Sequence, residues 1–383
     1  MKKATAVFLI MISVFMTSCG EIEIIELNER LIIEAIGIDF EDGKYKVTIE
    51  GLDSFTSGSE GNNISSARLT KCYLFEGETI GMAMNSISEI TGQTPLFSQA
   101  RVLILGIDTA REHLSEALDF FRREYTTRTD VLIAVSEGSA SETVSADFGE
   151  NVSAGNIFEA SLSSYRHTGK STYTPLYRFL NSMMGETDSA YCPIIGIKDN
   201  AFSDKKEVDI KGTAIFSKNE NVHIITKDDT LAVMIMNNDA ENGDITLNTA
   251  KGICTFEIIE SKTKTGIEIK DGKAVFNVNI SLRCDIPEYQ TEDLSGLSKD
   301  DTEKAAIQAA KQIAALITDV LDETFYKNNC DIFDIGRKIN LKDNSFYKNN
   351  IIQTETISEN VTFNIKVSVS VRRIGKVILE KDE

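Results

Sequence analysis

The sequence predicts an α+β protein of two to three domains, each a mainly antiparallel or mixed sheet packed with helices. Asp42-Gly43 and Asp271-Gly272 each separate two arms of alternating apolar residues, as in hairpins with tight two-residue turns. A helical pattern over 298–327 and an unbroken alternating strand over 361–373 follow in the second half. Hairpins combined with a long helix favour α+β over a doubly wound parallel sheet.

The first half combines one hairpin with strand–helix–strand units. Apolar runs over 100–107 and 129–138 have the length of strands, and they predict strands buried on both faces. Helical patterns over 77–92, 109–125 and 175–185 alternate with these runs. The first two helical patterns have apolar stripes made by Ile80, Ala83, Met84, Ile87 and Ile90, and by Leu114, Ala117, Leu118 and Phe121.

The second half predicts strands followed by the longest helix. Residues 211–230 have the pattern strand–turn–strand, and the arm after Asp271-Gly272 alternates apolar with polar residues, as in a sheet covered on one face. Ser298 or Asp300 can cap the long helix, whose first turn is acidic, as the helix dipole favours. Its apolar stripe consists of Ile307, Ala310, Ile313, Ala314, Ile317, Val320, Leu321 and Thr324.

The length of the chain predicts more than one domain. One hydrophobic core rarely grows beyond about 250–300 residues, and this chain has 383. A polar, charged stretch over 198–208 marks the predicted division. We therefore expect a signal peptide over 1–18, an N-terminal part over 19–203 and a C-terminal part over 204–383.

The N-terminus has the features of a lipoprotein signal. Lys2 and Lys3 precede a mostly apolar run over 4–16, which is too short to span a bilayer but fits the centre of a secretory signal. Met16-Thr17-Ser18-Cys19 then resembles a bacterial lipobox, in which the cysteine receives a diacylglycerol and cleavage occurs before it. Cys19 is the predicted lipidation site. The alternative is an ordinary signal peptide that is followed by a cysteine.

The charge of the chain excludes some partners. The net charge is −19, and loss of Lys2 and Lys3 with the signal would bring it to −21. Such a surface is repelled by nucleic acid and by anionic lipid. No polybasic cluster along the sequence marks a patch that faces a membrane. We therefore expect no nucleic-acid partner and a bilayer contact through the acyl chains of Cys19.

The cysteines beyond Cys19 do not form a recognisable framework. They number five and lie far apart: Cys72, Cys192, Cys254, Cys284 and Cys330. No spacing among them suggests zinc. Cys254 and Cys284 alternate in phase with apolar residues, which favours small core residues over bridges. One disulfide remains possible, and the sequence does not choose its pair.

No catalytic constellation stands out. His113, His167 and His223 lie far apart, and we interpret them as helix-, loop- or strand-surface residues. Gly169-Lys170-Ser171 lacks the first glycine and the preceding strand of a phosphate loop, so we interpret it as a polar turn. We therefore expect no enzyme, no metal and no cofactor.

Several segments in order resemble the Ger(x)C (GerAC-like) family of spore germination lipoproteins. These segments follow Cys19 and are "ELNERLIIEAIGIDFEDGKYKVTIE", "LFSQARVLILGIDTAREHLSEALDFFRREYTTRTDVLIAVSEGSASE", "KGTAIF" with "KDDT", "CDIFDIGRKI" and "VSVSVRRIG". The start departs from the family, because Ser18-Cys19-Gly20-Glu21 stands where Gly-Cys-Trp-Asp is usual and the chain has no tryptophan.

The resemblance implies a non-catalytic subunit of a nutrient germinant receptor with a fold of three α+β domains. The family is held on the outer face of the spore inner membrane, beside membrane-spanning A-type and B-type subunits. The complex responds to small nutrients such as amino acids or sugars. Cys19 is the one residue whose role the resemblance carries over.

Two other classes of protein remain as alternatives. A lipid-anchored solute-binding protein would capture a small nutrient directly, but that class has two doubly wound lobes, against which the Asp-Gly hairpins argue. A surface hydrolase is disfavoured because its motifs are missing.

Overall fold

The fold has two sheets, each covered by its own helices. The computed structural model describes residues 26, 29–52, 70–123, 127–150, 152–185, 188–217, 222–291, 298–352, 357–375 and 377–378.

Nine strands of the described residues form the first sheet. They are β1 (Arg30–Glu41), β2 (Lys44–Leu52), β3 (Thr70–Gly77), β4 (Thr94–Leu96), β5 (Val102–Gly106), β6 (Leu132–Ser136), β7 (Ala190–Asp199), β8 (Lys206–Phe216) and β9 (Val222–Thr226). Their order is β3-β2-β1-β5-β6-β7-β8-β9, and β4 pairs with β1. The strands β1, β5, β6 and β7 are parallel, and antiparallel pairs flank them on both sides.

Helices cover both faces of the first sheet, because its central parallel strands are apolar on both sides. They are α1 (Ile80–Thr91), α2 (Ile107–Glu112), α3 (Leu114–Arg123), α4 (Ala140–Val144), α5 (Ala154–Ser163), α6 (Tyr165–Thr168) and α7 (Leu176–Met183). The helices α1, α3 and α7 pack in the core on one face. The helices α4 and α5 pack in a smaller core on the other face.

The second sheet is covered by helices on one face. Its elements and connections are α8 (Lys227–Met236), β10 (Gly243–Thr249), β11 (Gly252–Lys270), β12 (Lys273–Thr291), α9 (Lys299–Leu321), α10 (Ile335–Lys342), α11 (Asn344–Asn350), β13 (Val361–Ile374) and β14 (Val377–Ile378). The strand order follows the sequence, and β12 and β13 are parallel because α9 crosses between them. The apolar face of β10–β13 and the buried side of α9 share one core.

The structure confirms the predicted α+β class and both hairpins. Asp42 and Gly43 have φ of 53° and 76°, and Asp271 and Gly272 have φ of 52° and 76°, as type I′ turns require. Ser298 caps α9, and its hydroxyl accepts a hydrogen bond from the backbone N–H of Asp301. Of the two caps that the sequence allowed, the serine is therefore the one used.

Three details of the sequence prediction are wrong. Ile90 and Ile307, both assigned to apolar stripes, are 65% and 58% exposed. Ile90 lies in the last turn of α1, and Ile307 lies on the flank of α9, whose buried face runs through Ala305, Ala309 and Ile313. The predicted helix over 109–125 is two helices, α2 and α3, which meet at His113.

The polar stretch over 198–208 is part of an antiparallel pair. Here β7 ends, the chain turns, and β8 begins beside it in the first sheet. The chain leaves this sheet only after β9, through α8. The division at 203/204 stays a prediction of the sequence.

Candidate functional site

The three histidines lie in different places. The ring of His113 lies against that of Phe40, with centroids 3.7 Å apart and planes tilted by 37°. His113 is half-buried between α2 and α3, so it is only partly the solvated helix residue that the sequence suggested. His223 lies on β9, and its Nε2 is 3.2 Å from a carboxylate oxygen of Glu323. His167 lies in the single turn of α6. Among the described residues, no group of three or more His, Cys, Asp or Glu could hold a metal ion.

The five described cysteines are free thiols. Cys254 and Cys284 are fully buried, which confirms their prediction as core residues. Burial raises the pKa of Cys254 to about 11 and that of Cys284 to about 12. Cys72 is exposed at the residue level, yet desolvation of its thiol, followed by the charge of Glu50, raises its pKa to about 11. Since the thiolate is the reactive form, these thiols are poor nucleophiles at neutral pH.

Carboxylates cap three helices, two of them from strands about a hundred residues away. Asp39 of β1 accepts hydrogen bonds from the N–H groups of Ala140 and Ser141, both at 2.8 Å, at the start of α4. A carboxylate at a helix N-terminus satisfies donors that the helix leaves free, and it interacts favourably with the helix dipole.

Glu50 and Asp331 repeat this arrangement in buried positions. Glu50 of β2 accepts from the N–H groups of Ala154 and Gly155 at 2.7 and 2.8 Å, at the start of α5. Asp331 accepts from Ile335 and Gly336 at 2.8 and 2.7 Å, at the start of α10. Glu50 and Asp331 are 2% and 3% exposed. Glu50 and Asp331 are buried titratable groups of the kind that a search for catalytic residues would select, and here both cap helices.

An open groove of about 1170 Å³ lies at one end of the first sheet, between α1, α3 and α7. Phe40, Tyr45 and His113 form its aromatic floor, where the rings of Phe40 and Tyr45 meet edge to face at 4.9 Å. Leu180 and Met183 of α7 form an apolar wall of the groove. This surface can accept an apolar side chain, a small ligand or a helix.

Charged groups stand on the rim of the groove. Asp119 forms ion pairs with Arg122 and Arg123 one turn further along α3. Hydrogen bonds from Arg123 hold the pKa of Asp119 below its usual value. Glu78 and Glu116 also line the groove, and no cation of the described residues lies within 4 Å of either carboxylate. The rim therefore offers fixed charges but no aligned acid–base pair.

Polar contacts connect the two sheets. The hydroxyl of Tyr191 on β7 accepts hydrogen bonds from the Asn237 amide at 3.1 Å and from the Arg178 guanidinium at 3.3 Å. Arg178 in turn pairs with Asp239 at 2.9 Å. Desolvation by burial raises the pKa of Tyr191, so its hydroxyl stays neutral.

The predicted lipidation site, Cys19, lies outside the described residues. No helix in the part of the chain that the structure describes is long and apolar enough to cross a bilayer. The sequence did not allow the groove or the helix caps to be predicted. Their members come from segments up to about a hundred residues apart, and no local pattern links them.

The fold defines a two-sheet α+β protein. Two family models match the chain: the spore germination protein N-terminal domain over residues 23–197, and the spore germination B3/GerAC-like C-terminal domain over residues 211–375. The chain belongs to the Ger(x)C family of spore germination proteins.

Individual relatives and a solved structure agree with this family. The chain is 24% identical over 290 residues to the putative spore germination protein YfkR of Bacillus subtilis, covering 74% of each chain. It is 20% identical to spore germination protein B3 of the same organism, covering 98% of this chain and 99% of that one. The crystal structure of the GerBC protein superposes with a TM-score of 0.57 at 18% identity, covering 88% of this chain and 96% of that one. The likeness to GerBC is one of fold.

Proposed function

We propose that the protein is the lipid-anchored C subunit of a nutrient germinant receptor in the spore inner membrane. It works by assembling with membrane-spanning A-type and B-type subunits and has no chemistry of its own. The observation that carries this proposal is the pair of germination-family matches, which follow one another along most of the chain.

The anchor in this proposal is the acylated Cys19. Each methylene that enters the bilayer contributes about 0.8 kcal/mol, so one acyl chain binds marginally and two bind stably. The body needs such an anchor because a net charge of −19 gives it no general attraction to a membrane. The acyl chains would keep the two sheets beside the membrane-spanning subunits.

Replacement of the anchor residue tests this proposal. Cys19→Ser should leave the chain unprocessed or soluble, so that it no longer sediments with membranes after a carbonate wash. Cys72→Ser is the matched control, because Cys72 is an exposed cysteine of the folded body. A Cys19→Ser chain that sediments as the parent does would contradict lipid anchoring.

A second candidate function is direct capture of a small nutrient. The observation that favours it is the groove of about 1170 Å³ with its aromatic floor. Isothermal calorimetry of the intact chain against a panel of amino acids and sugars tests it. Micromolar binding in the absence of the partner subunits, lost in Tyr45→Ala, would favour this candidate over the first.

A further inference from the structure

The outer face of the second sheet is basic at the end that carries the β11–β12 turn, although the chain as a whole is acidic. We call it the lysine face, and it consists of the outward-pointing alternate residues of β11 (260–270), β12 (273–283) and β13 (362–370). Sheet register defines it, because residues opposite one another across strands point to the same side. Lys264 pairs with Asn279, and Asn279 pairs with Lys366, so these two lysines stand in one row about 10 Å apart.

The lysine face carries a net positive charge. Its cations are Lys262, Lys264, Lys270, Lys273, Arg283 and Lys366. Its acids are Glu260 and Glu268, together with Asp271 in the hairpin turn. Six cations against three acids give +3 on this face of a chain whose total charge is −19. Five of the six cations lie in the β11–β12 hairpin, and Lys366 joins them from β13; the sequence did not reveal the cluster, because only the strand register shows that these side chains share one face.

Most of these cations have no partner within the described residues. Lys262 pairs with Glu260 on its own strand. No acidic side chain of the described chain lies within 4 Å of the ammonium groups of Lys264, Lys270, Lys273 or Lys366. All four lysines are exposed. Their charges are therefore available to an external anion.

The side chains that lie between the cations are mostly small and polar. Asn364 donates to Asn277 at 2.9 Å, and the hydroxyls of Ser368 and Ser281 are 3.4 Å apart. The helix α9 packs on the opposite face of the sheet, in the core with Phe276. The lysine face thus combines exposed polar side chains with positive charge, which suits an anionic surface rather than an apolar partner.

We propose that the lysine face lies against the anionic phospholipid headgroups of the membrane to which the chain is tethered. This inference rests on the proposed lipid anchor. Ten residues lie between Cys19 and Arg30 at the start of β1, and the eleven residue-to-residue steps between them span at most about 40 Å. A lipid anchor at the end of a segment of this length does not by itself set which side of the folded body faces the bilayer. Headgroup contacts on the lysine face would fix it, while the acidic remainder turns away from the bilayer.

Amine footprinting of the full-length acylated chain tests the inference. The chain is added to vesicles of phosphatidylcholine alone, or of phosphatidylcholine with phosphatidylglycerol, and the vesicles are floated. A water-soluble amine-acylating reagent then modifies accessible lysines, which are quantified by peptide mass spectrometry. Lys44 is the internal reference, because it is an exposed lysine in the β1–β2 turn with no ion pair in the described chain.

The inference predicts protection that depends on lipid charge. Lys264, Lys273 and Lys366 should be modified about fivefold more slowly on phosphatidylglycerol vesicles than on phosphatidylcholine alone, whereas Lys44 should not change. The protection should disappear at 1 M salt, where the screening length falls to about 3 Å. The double variant K264E/K366E should remove the protection of Lys273, and the control K44E should keep it.

The outcomes separate the lysine face from the anchor. A chain that floats with both vesicles and shows equal modification overturns the lysine face and leaves the anchor intact. A chain that floats only with phosphatidylglycerol vesicles, with the predicted protection, supports the face and overturns the anchor. A chain that floats with neither overturns both.

Discussion

Glu50 and Asp331 are single residues on which whole helices depend. Each carboxylate is buried and accepts hydrogen bonds from two backbone N–H groups at the start of a helix. Glu50 caps a helix about a hundred residues away along the chain, whereas Asp331 lies four residues before the helix that it caps. A buried N–H that loses its acceptor keeps its full desolvation cost, so these caps contribute more than exposed ones.

Removal of the Glu50 carboxylate should destabilise the protein strongly. Glu50→Ala leaves the N–H groups of Ala154 and Gly155 and the hydroxyl of Ser153 without their acceptor, so the free energy of unfolding should fall by about 3 kcal/mol. Glu50→Gln keeps one acceptor oxygen and should lose about half as much. Urea denaturation measures both, with the exposed Glu76→Ala as a control that changes little. A loss in Glu50→Ala as small as in the control would contradict this role of the carboxylate.

Asp331 should make stability depend on pH. Burial raises its pKa to about 6, and the two N–H bonds and Lys338 only partly oppose this, while Asp334 adds to it. Because the folded pKa lies above the unfolded value of 3.8, the group stabilises the fold fully below pH 3.8, and this contribution is lost as the pH rises through about 6.

Asp331→Asn isolates that dependence, since the amide does not titrate. Between pH 4 and pH 7, the stability of the variant relative to the parent should rise by about 3 kcal/mol. Denaturation at a series of pH values measures the difference, in which the other carboxylates cancel. A difference that does not change with pH would mean that Asp331 titrates near its ordinary value.

At the scale of elements, α5 approaches the first sheet so closely that a glycine is required. A Cβ on Gly155 would lie 2.5 Å from the carbonyl oxygen of Glu34, and backbone atoms cannot move aside cheaply. The same glycine donates its N–H to Glu50. The cap and the close contact therefore position α5 together.

Gly155→Ala should cost about 2 kcal/mol or more, because the added methyl forces α5 away from β1. Gly266→Ala is the matched control, since a Cβ there meets nothing within 4 Å. The control should change the free energy of unfolding by less than about 0.5 kcal/mol. Thermal unfolding of both variants compares them, and equal midpoints would contradict the close contact.

Local patterns predicted most elements of this fold. Alternation and Asp-Gly turns gave both hairpins, and the stripe of Leu114, Ala117, Leu118 and Phe121 is buried as expected. The patterns failed where tertiary packing decides, as at Ile307, because Ala305 and Ala309 carry the buried face of α9 in that turn. The groove beside His113 and the cap at Glu50 were out of reach, because they depend on which distant segments meet.

At the scale of the whole molecule, the two sheets form one body through polar contacts. Ser189, which precedes β7, accepts a hydrogen bond from the N–H of Asp331 at 3.1 Å. Tyr191, two residues later, accepts from Asn237 at the end of α8.

The central claim is that this body works as an assembled subunit rather than alone. The most direct measurement is purification of the intact, C-terminally tagged chain from spore membranes in mild detergent, with mass spectrometry of everything that co-purifies. Our account predicts the A-type and B-type membrane-spanning subunits in amounts comparable to the tagged chain. A chain that purifies alone, and that binds a nutrient by itself, would contradict it.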